Sequence, residues 1–198
     1  MATKNKLKTK DLIYAGAFAA LYLIAMFIIV MAFGIIPILY LMVPLFVGLI
    51  CATVYMMYVS KVKKMGAILI LTLLFGLVMS SSGHGLTLLF VIPLGIIAEL
   101  IARIGGYQSK KMISISYIIF NLSILVPFYT LYTASDEFIG QCLEYYGQEY
   151  ADAIQNTLNT FGLGLVGIQA GLAIVGALAG SLIACKLFKK HFEKAGLV

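Results

Sequence analysis

The sequence predicts an all-α integral membrane protein, a single domain of six transmembrane helices with both termini in the cytoplasm. Three observations predict it. Of 198 residues, 62% are hydrophobic and only 11% are charged, more apolar surface than one soluble core can bury. The apolar residues gather into six runs, at roughly 12–33, 38–59, 65–81, 85–103, 112–133 and 160–186. Each is close to the ~20 residues that cross a hydrocarbon core of ~30 Å. Finally, the 14 Lys and Arg fall in four clusters, Lys4–Lys10, Lys61–Lys64, Arg103–Lys111 and Lys186–Lys194. With six spans all four clusters meet on one face, which the positive-inside rule makes cytoplasmic.

Lipid offers the backbone no hydrogen-bond partner, so the runs are expected as helices; barrel strands would be shorter and alternate polar with apolar residues. The first run is too long for a signal-peptide core and is expected to remain as a span. The net charge of +6 is accounted for by topology and is a poor argument for nucleic acid. Cys51, Cys142 and Cys185 share no metal-ligand spacing and are assigned neither a disulfide nor a metal.

Span one carries Ala15, Gly16, Ala19 and Ala20, two offset pairs of small residues four apart. Such strips let another helix approach closely, either within the chain or from a partner. Span two opens at Pro37 and keeps Pro44 inside, so its outer end is expected to be kinked near Tyr40. Tyr55 and Tyr58, toward the inner surface, read as interfacial anchors. Span three leads into Ser80-Ser81-Ser82-Gly83-His84-Gly85, an uncharged polar hinge holding the sole histidine outside the tail. Span four returns through Pro93 and Gly95 to Glu99, with Arg103 one turn later in the order that favours a helical ion pair. A carboxylate inside a span is costly and makes Glu99 a functional candidate; a snorkelling salt bridge with Arg103 is the plainer reading.

Span five gathers Asn121, Ser123, Pro127, Tyr129, Thr130 and Tyr132 toward its outer end, and an amide as deep as Asn121 needs a partner. The outer loop, 134–157, carries Asp136, Glu137, Glu144, Glu149 and Asp152. Its Phe138, Cys142, Leu143, Tyr146 and Tyr150 recur at helical steps, as in one amphipathic helix lying on the outer surface, either a lid or a connector. Span six repeats glycine at four-residue spacing, Gly167 with Gly171 and Gly176 with Gly180.

Enzyme chemistries that leave a sequence signature are missing. The chain has no phosphate-cradling loop of the P-loop kind, no orienting acid beside Ser82 and His84 for a serine hydrolase, and no cluster of intramembrane ligands for a hydrolytic metal. A binding module with an outward polar pocket remains. Its ligand residues are expected among His84, Ser82, Tyr40, Asn121, Tyr129 and Asn159. Two rivals stand beside it: a membrane enzyme acting on a lipid or isoprenoid substrate with Glu99 catalytic, and a solitary small permease.

Several stretches carry a family resemblance. They are Lys8-Thr9-Lys10-Asp11-Leu12, Ile36-Pro37-Ile38-Leu39-Tyr40, Lys61-Val62-Lys63-Lys64-Met65-Gly66, Gly83-His84-Gly85, Glu149-Tyr150-Ala151-Asp152 and Phe188 to Gly196. In this order the chain resembles the substrate-binding S components of energy-coupling factor (ECF) importers, within them the MptD-type, or Trep_Strep, group. The resemblance implies a six-helix protein of the bacterial cytoplasmic membrane that captures a vitamin or other micronutrient at the outer face. It also implies docking onto a transmembrane T component driven by two cytoplasmic ATPases, through a small-residue strip on the first helix that Ala15 and Ala19 match, with Gly16 and Ala20 offset. No Lys or Arg faces outward, which disfavours an anionic ligand. Haem or another tetrapyrrole, with His84 as axial ligand, is one expectation for the cargo; no resident cofactor is expected.

Overall fold

The computed structural model describes residues 7–81 and 86–188; the hinge residues Ser82, Gly83, His84 and Gly85 lie outside the described residues, as does His191 in the tail. Its elements in order are α1 (Thr9–Gly34), α2 (Pro37–Leu41), α3 (Val43–Val62), α4 (Ala67–Ser81), α5 (Thr87–Ile104) and α6 (Lys110–Asn121). A 3₁₀ segment, η1 (Leu122–Phe128), then leads to α7 (Tyr129–Thr133), α8 (Ser135–Tyr146), α9 (Gln148–Phe161) and α10 (Gly164–Leu187). Among the described residues there is no strand.

Among the described residues, five segments are long and apolar enough to cross a membrane: α1, α3, α5, α6 through α7, and α10. The third expected span corresponds to α4, whose 15 residues rise about 22 Å, short of a ~30 Å core. Prolines break two of the expected spans. Pro44, with no N–H to offer the preceding turn, separates α2 from α3 at Met42, where the sequence predicts a kink. Pro127 converts the outer part of span five into η1, which the sequence reading does not anticipate.

Glycine brings α3 and α10 together as parallel neighbours. A Cβ at Gly180 would lie 2.5 Å from the Gly48 carbonyl, one at Gly48 would lie 2.7 Å from Ala177 N, and one at Gly176 would collide with the Leu45 carbonyl. Backbone on backbone is the approach that only glycine permits. Thus Gly176 and Gly180 bind the bundle, whereas Gly167 and Gly171 have open space around them. In the same way Gly95 admits Thr72, setting α4 antiparallel to α5.

An aromatic cluster fills the middle of the bundle. Phe120 meets Tyr55 at 5.3 Å, Tyr22 edge-on at 5.6 Å and Phe75 at 6.3 Å. Tyr55 and Tyr58 belong to this interior, not to an interfacial belt: both are buried, Tyr58 donating to the Ala67 carbonyl. Tyr55 donates to Ser116 Oγ, which donates to the Ala98 carbonyl, each at 2.7 Å, linking α3, α6 and α5. Their hydroxyls find partners inside the protein, so water is not needed.

The described members of all four basic clusters lie at one end. Lys64 Nζ lies 2.5 Å from Asp11, which also accepts from the Lys8 N–H, and Lys10 and Lys61 both sit over the Tyr14 ring. Arg103 reaches Met65 Sδ, and Lys186 closes α10, which runs parallel to α3. The acidic helices α8 and α9 occupy the opposite end, where the Tyr150 hydroxyl donates to the Gly34 carbonyl at the end of α1. Gly176→Ala should therefore lower stability by about 2 kcal/mol, read as a drop in melting temperature in mild detergent, while Gly171→Ala leaves it unchanged.

Candidate functional site

Among the cavities lined by described residues, one lies beneath the α8–α9 cap and one within it. The inner one, ≈160 Å³, is walled by Met26, Phe27, Tyr40, Met79, Pro127 and Phe128, with Val43 and Ile124 between them. Every one of these side chains is apolar or aromatic. Its walls include both proline-broken segments, α2–α3 and η1. Irregular backbone at membrane depth is stable only where protein buries it or a cavity needs it. The outer cavity, ≈220 Å³, is a half-open cup of five rings, Tyr40, Phe138, Tyr145, Tyr146 and Tyr150, with Gln141 and Cys142 completing it.

Tyr40 belongs to both cavities and forms the partition between them. It packs against Phe128 at 5.1 Å on the inner side and near-parallel to Phe138 at 6.1 Å on the outer side. Its hydroxyl has no hydrogen-bond partner among the described residues.

Of the four described residues expected to touch ligand, Tyr40 alone lines these cavities. Asn121 is buried, and its amide donates to the carbonyls of Ala173 at 3.0 Å and Pro44 at 3.4 Å, a structural clasp between α6, α10 and α3. Asn159 is exposed on α9, accepting from Gln155. Tyr129 is half-buried and lines neither cavity. Ser82 and His84 lie outside the described residues. The docking strip is corrected too: Ala15 and Ala19 are fully buried inside the bundle, leaving Gly16 and Ala20 on the exposed face.

Glu99 does not pair with Arg103. Its carboxylate accepts from the N–H groups of Ile68 (2.9 Å) and Leu69 (3.3 Å), and from the Tyr107 hydroxyl at 2.6 Å. It thus caps the first turn of α4 from a neighbouring helix, satisfying orphan donors and meeting the positive end of the helix dipole. Tyr107 reaches it because the chain after α5 turns through left-handed Gly106 and Tyr107. The outer loop also differs from expectation: Gly147, at φ +86°, splits the single expected helix into α8 and α9.

Residues 9–194 match a family described as a hypothetical bacterial integral membrane protein (Trep_Strep). The chain belongs to the Trep_Strep family. No curated protein and no solved structure matches it.

Sequence reasoning found the ring-bearing face of the Trep_Strep cap, since Phe138, Cys142, Tyr146 and Tyr150 recur at helical spacing. It missed the inner cavity, whose Met26, Phe27, Met79 and Phe128 are indistinguishable in sequence from lipid-facing residues. The cap's halves are unequally anchored: α9 buries Tyr150, Ala151 and Ile154, but α8 buries only Cys142.

Two outcomes follow from this geometry. Glu99→Ala strands two N–H groups and a phenol, and should cost about 3 kcal/mol of stability in detergent, whereas Arg103→Ala costs under about 0.5 kcal/mol. In hydrogen exchange, the amides of α8 should exchange faster than those of α9; equal protection would mean that burial does not govern the cap.

Proposed function

We propose that this Trep_Strep protein is the membrane-embedded capture (S) subunit of an ECF importer in the bacterial cytoplasmic membrane. It binds a vitamin or similar micronutrient at the outer face and delivers it to a T component and two ATPases. The observation that carries this reading is the pair of cavities at the end of the bundle remote from the lysines, walled by two broken helices and capped by α8 and α9. The positive-inside rule turns the lysine end toward the cytoplasm and the cavities toward the medium. In this reading α4 makes a sixth, shorter crossing, and the chain leaves nucleotide hydrolysis to its partners.

The partner-facing strip in this reading is Gly16 with Ala20, since Ala15 and Ala19 are taken up by packing within the chain. A Cβ at Gly16 would have open space around it. Haem gains no support as the cargo: Tyr40 divides the two cavities, and the described side chains that line them include no Lys or Arg for haem carboxylates. An enzyme centred on Glu99 gains no support from a carboxylate already accepting three hydrogen bonds from the fold.

The test is uptake and co-purification with the T component. Gly16→Trp should abolish both while ligand binding to the isolated chain persists; Ala15→Trp should instead disrupt the bundle. Uptake that survives deletion of the ATPases would overturn the reading in favour of a solitary permease.

A further inference from the structure

Resting on that reading of the site, we propose that its cargo is an organic cation of the quaternary or N-alkylated ring type, held in the aromatic cup with its apolar remainder directed past Tyr40 into the inner cavity.

Three observations lead there. The first is the wall of the cup: five aromatic rings enclose ≈220 Å³. Tyr146 stacks on Tyr150 at 4.5 Å and Tyr40 lies near-parallel to Phe138, so the rings form two paired walls, with Tyr145 exposed at the rim. Ring faces carry negative potential, and several around one space make the arrangement that holds diffuse cations.

The second is the field. The helices that build the cup, α8 and α9, carry Asp136, Glu137, Glu144, Glu149 and Asp152 and no Lys or Arg. The nearest basic residues in sequence are Lys111 and Lys186, both at the far end of the bundle. Among the described residues none of these carboxylates forms an ion pair. An uncompensated charge of this sign concentrates cations at the mouth and repels phosphates and carboxylates.

The third is what the lining lacks. The cup contains phenols, one amide and one thiol, but no carboxylate. A primary ammonium is strongly hydrated and would surrender its water without matching acceptors; a quaternary cation has no N–H to satisfy. The apolar inner cavity beyond Tyr40 supplies the rest of the binding surface without any polar demand.

The experiment is calorimetric titration of the purified full chain in uncharged detergent, after removal of co-purified ligand. The probes are choline and its neutral carbon analogue, in which tert-butyl replaces trimethylammonium. Choline should bind about tenfold more tightly than the analogue, and raised salt should erode that preference. Tyr145→Leu, at a rim position 73% exposed, should weaken choline several-fold without changing the melting temperature. Replacing the five carboxylates by amides should reduce choline binding and leave the analogue unaffected.

Equal affinity for the two probes, or no choline binding by a chain that still captures another molecule, overturns this inference and leaves the capture role standing. Choline binding by a chain whose uptake ignores the ATPases would do the reverse.

Discussion

The interruption between α2 and α3 is the constraint on which the rest of the structure depends. Pro44 has no N–H to give the preceding turn, at a depth where lipid cannot satisfy a freed carbonyl, and side chains from other helices bind carbonyls on both sides of the break. Gln169 of α10 donates to the Leu41 carbonyl, Asn121 of α6 to that of Pro44, and Tyr117 of α6 to those of Val47 and Gly48. Gln169 is itself held by the Tyr132 hydroxyl at 2.6 Å. The repair therefore draws α6, α7 and α10 onto α3, and the glycines of α3 and α10 let that contact close to backbone distance. Buried polar groups that look functional in isolation, Asn121 above all, are used in tying α6 to α3 and α10.

That repair also makes room. With the chain broken between α2 and α3, Tyr40 lines the space under the cap, and η1, tightened to 3₁₀ winding and containing Pro127, lies beside it. The space between the two irregular segments is the inner cavity; the cap closes over it and contributes four of the five rings of the cup. The cavity thus lies where two proline-bearing segments, α2–α3 and η1, face each other.

How much of this could be read in the sequence depends on whether a feature is local. The helical class, the bounds of the five long apolar segments to within a few residues and the proline break near Tyr40 were legible, because hydropathy, length and a missing N–H act on the chain itself. The facing of α1 was not. Nearly all its residues are apolar, lipid and protein interior select the same side chains, and nothing in the spacing separates buried Ala15 and Ala19 from exposed Gly16 and Ala20. Glu99 misled for a related reason. Its spacing to Arg103 is a true helical neighbour relation, but the unsatisfied amides at the start of α4 are stronger claimants and lie about thirty residues away in sequence. The amphipathic stripe of the cap is visible in the spacing of its rings, but Gly147, at φ +86°, divides that stripe between two helices.

The division of the cap at Gly147 has an energetic meaning. Burying a large side chain such as Tyr150 or Ile154 contributes roughly 2 kcal/mol, and the Tyr150 hydrogen bond to Gly34 adds about 1 kcal/mol. On α8 the one buried side chain is the small Cys142, and Tyr145 and Tyr146 stand in the open. Yet α8 supplies Phe138, Gln141, Cys142, Tyr145 and Tyr146 to the cup, whereas α9 supplies Tyr150 alone. The weakly held half thus carries most of the wall. Stability and access are separated at a glycine: α9 keeps the cap attached to α1, and α8 can yield at a cost smaller than that of unseating α9.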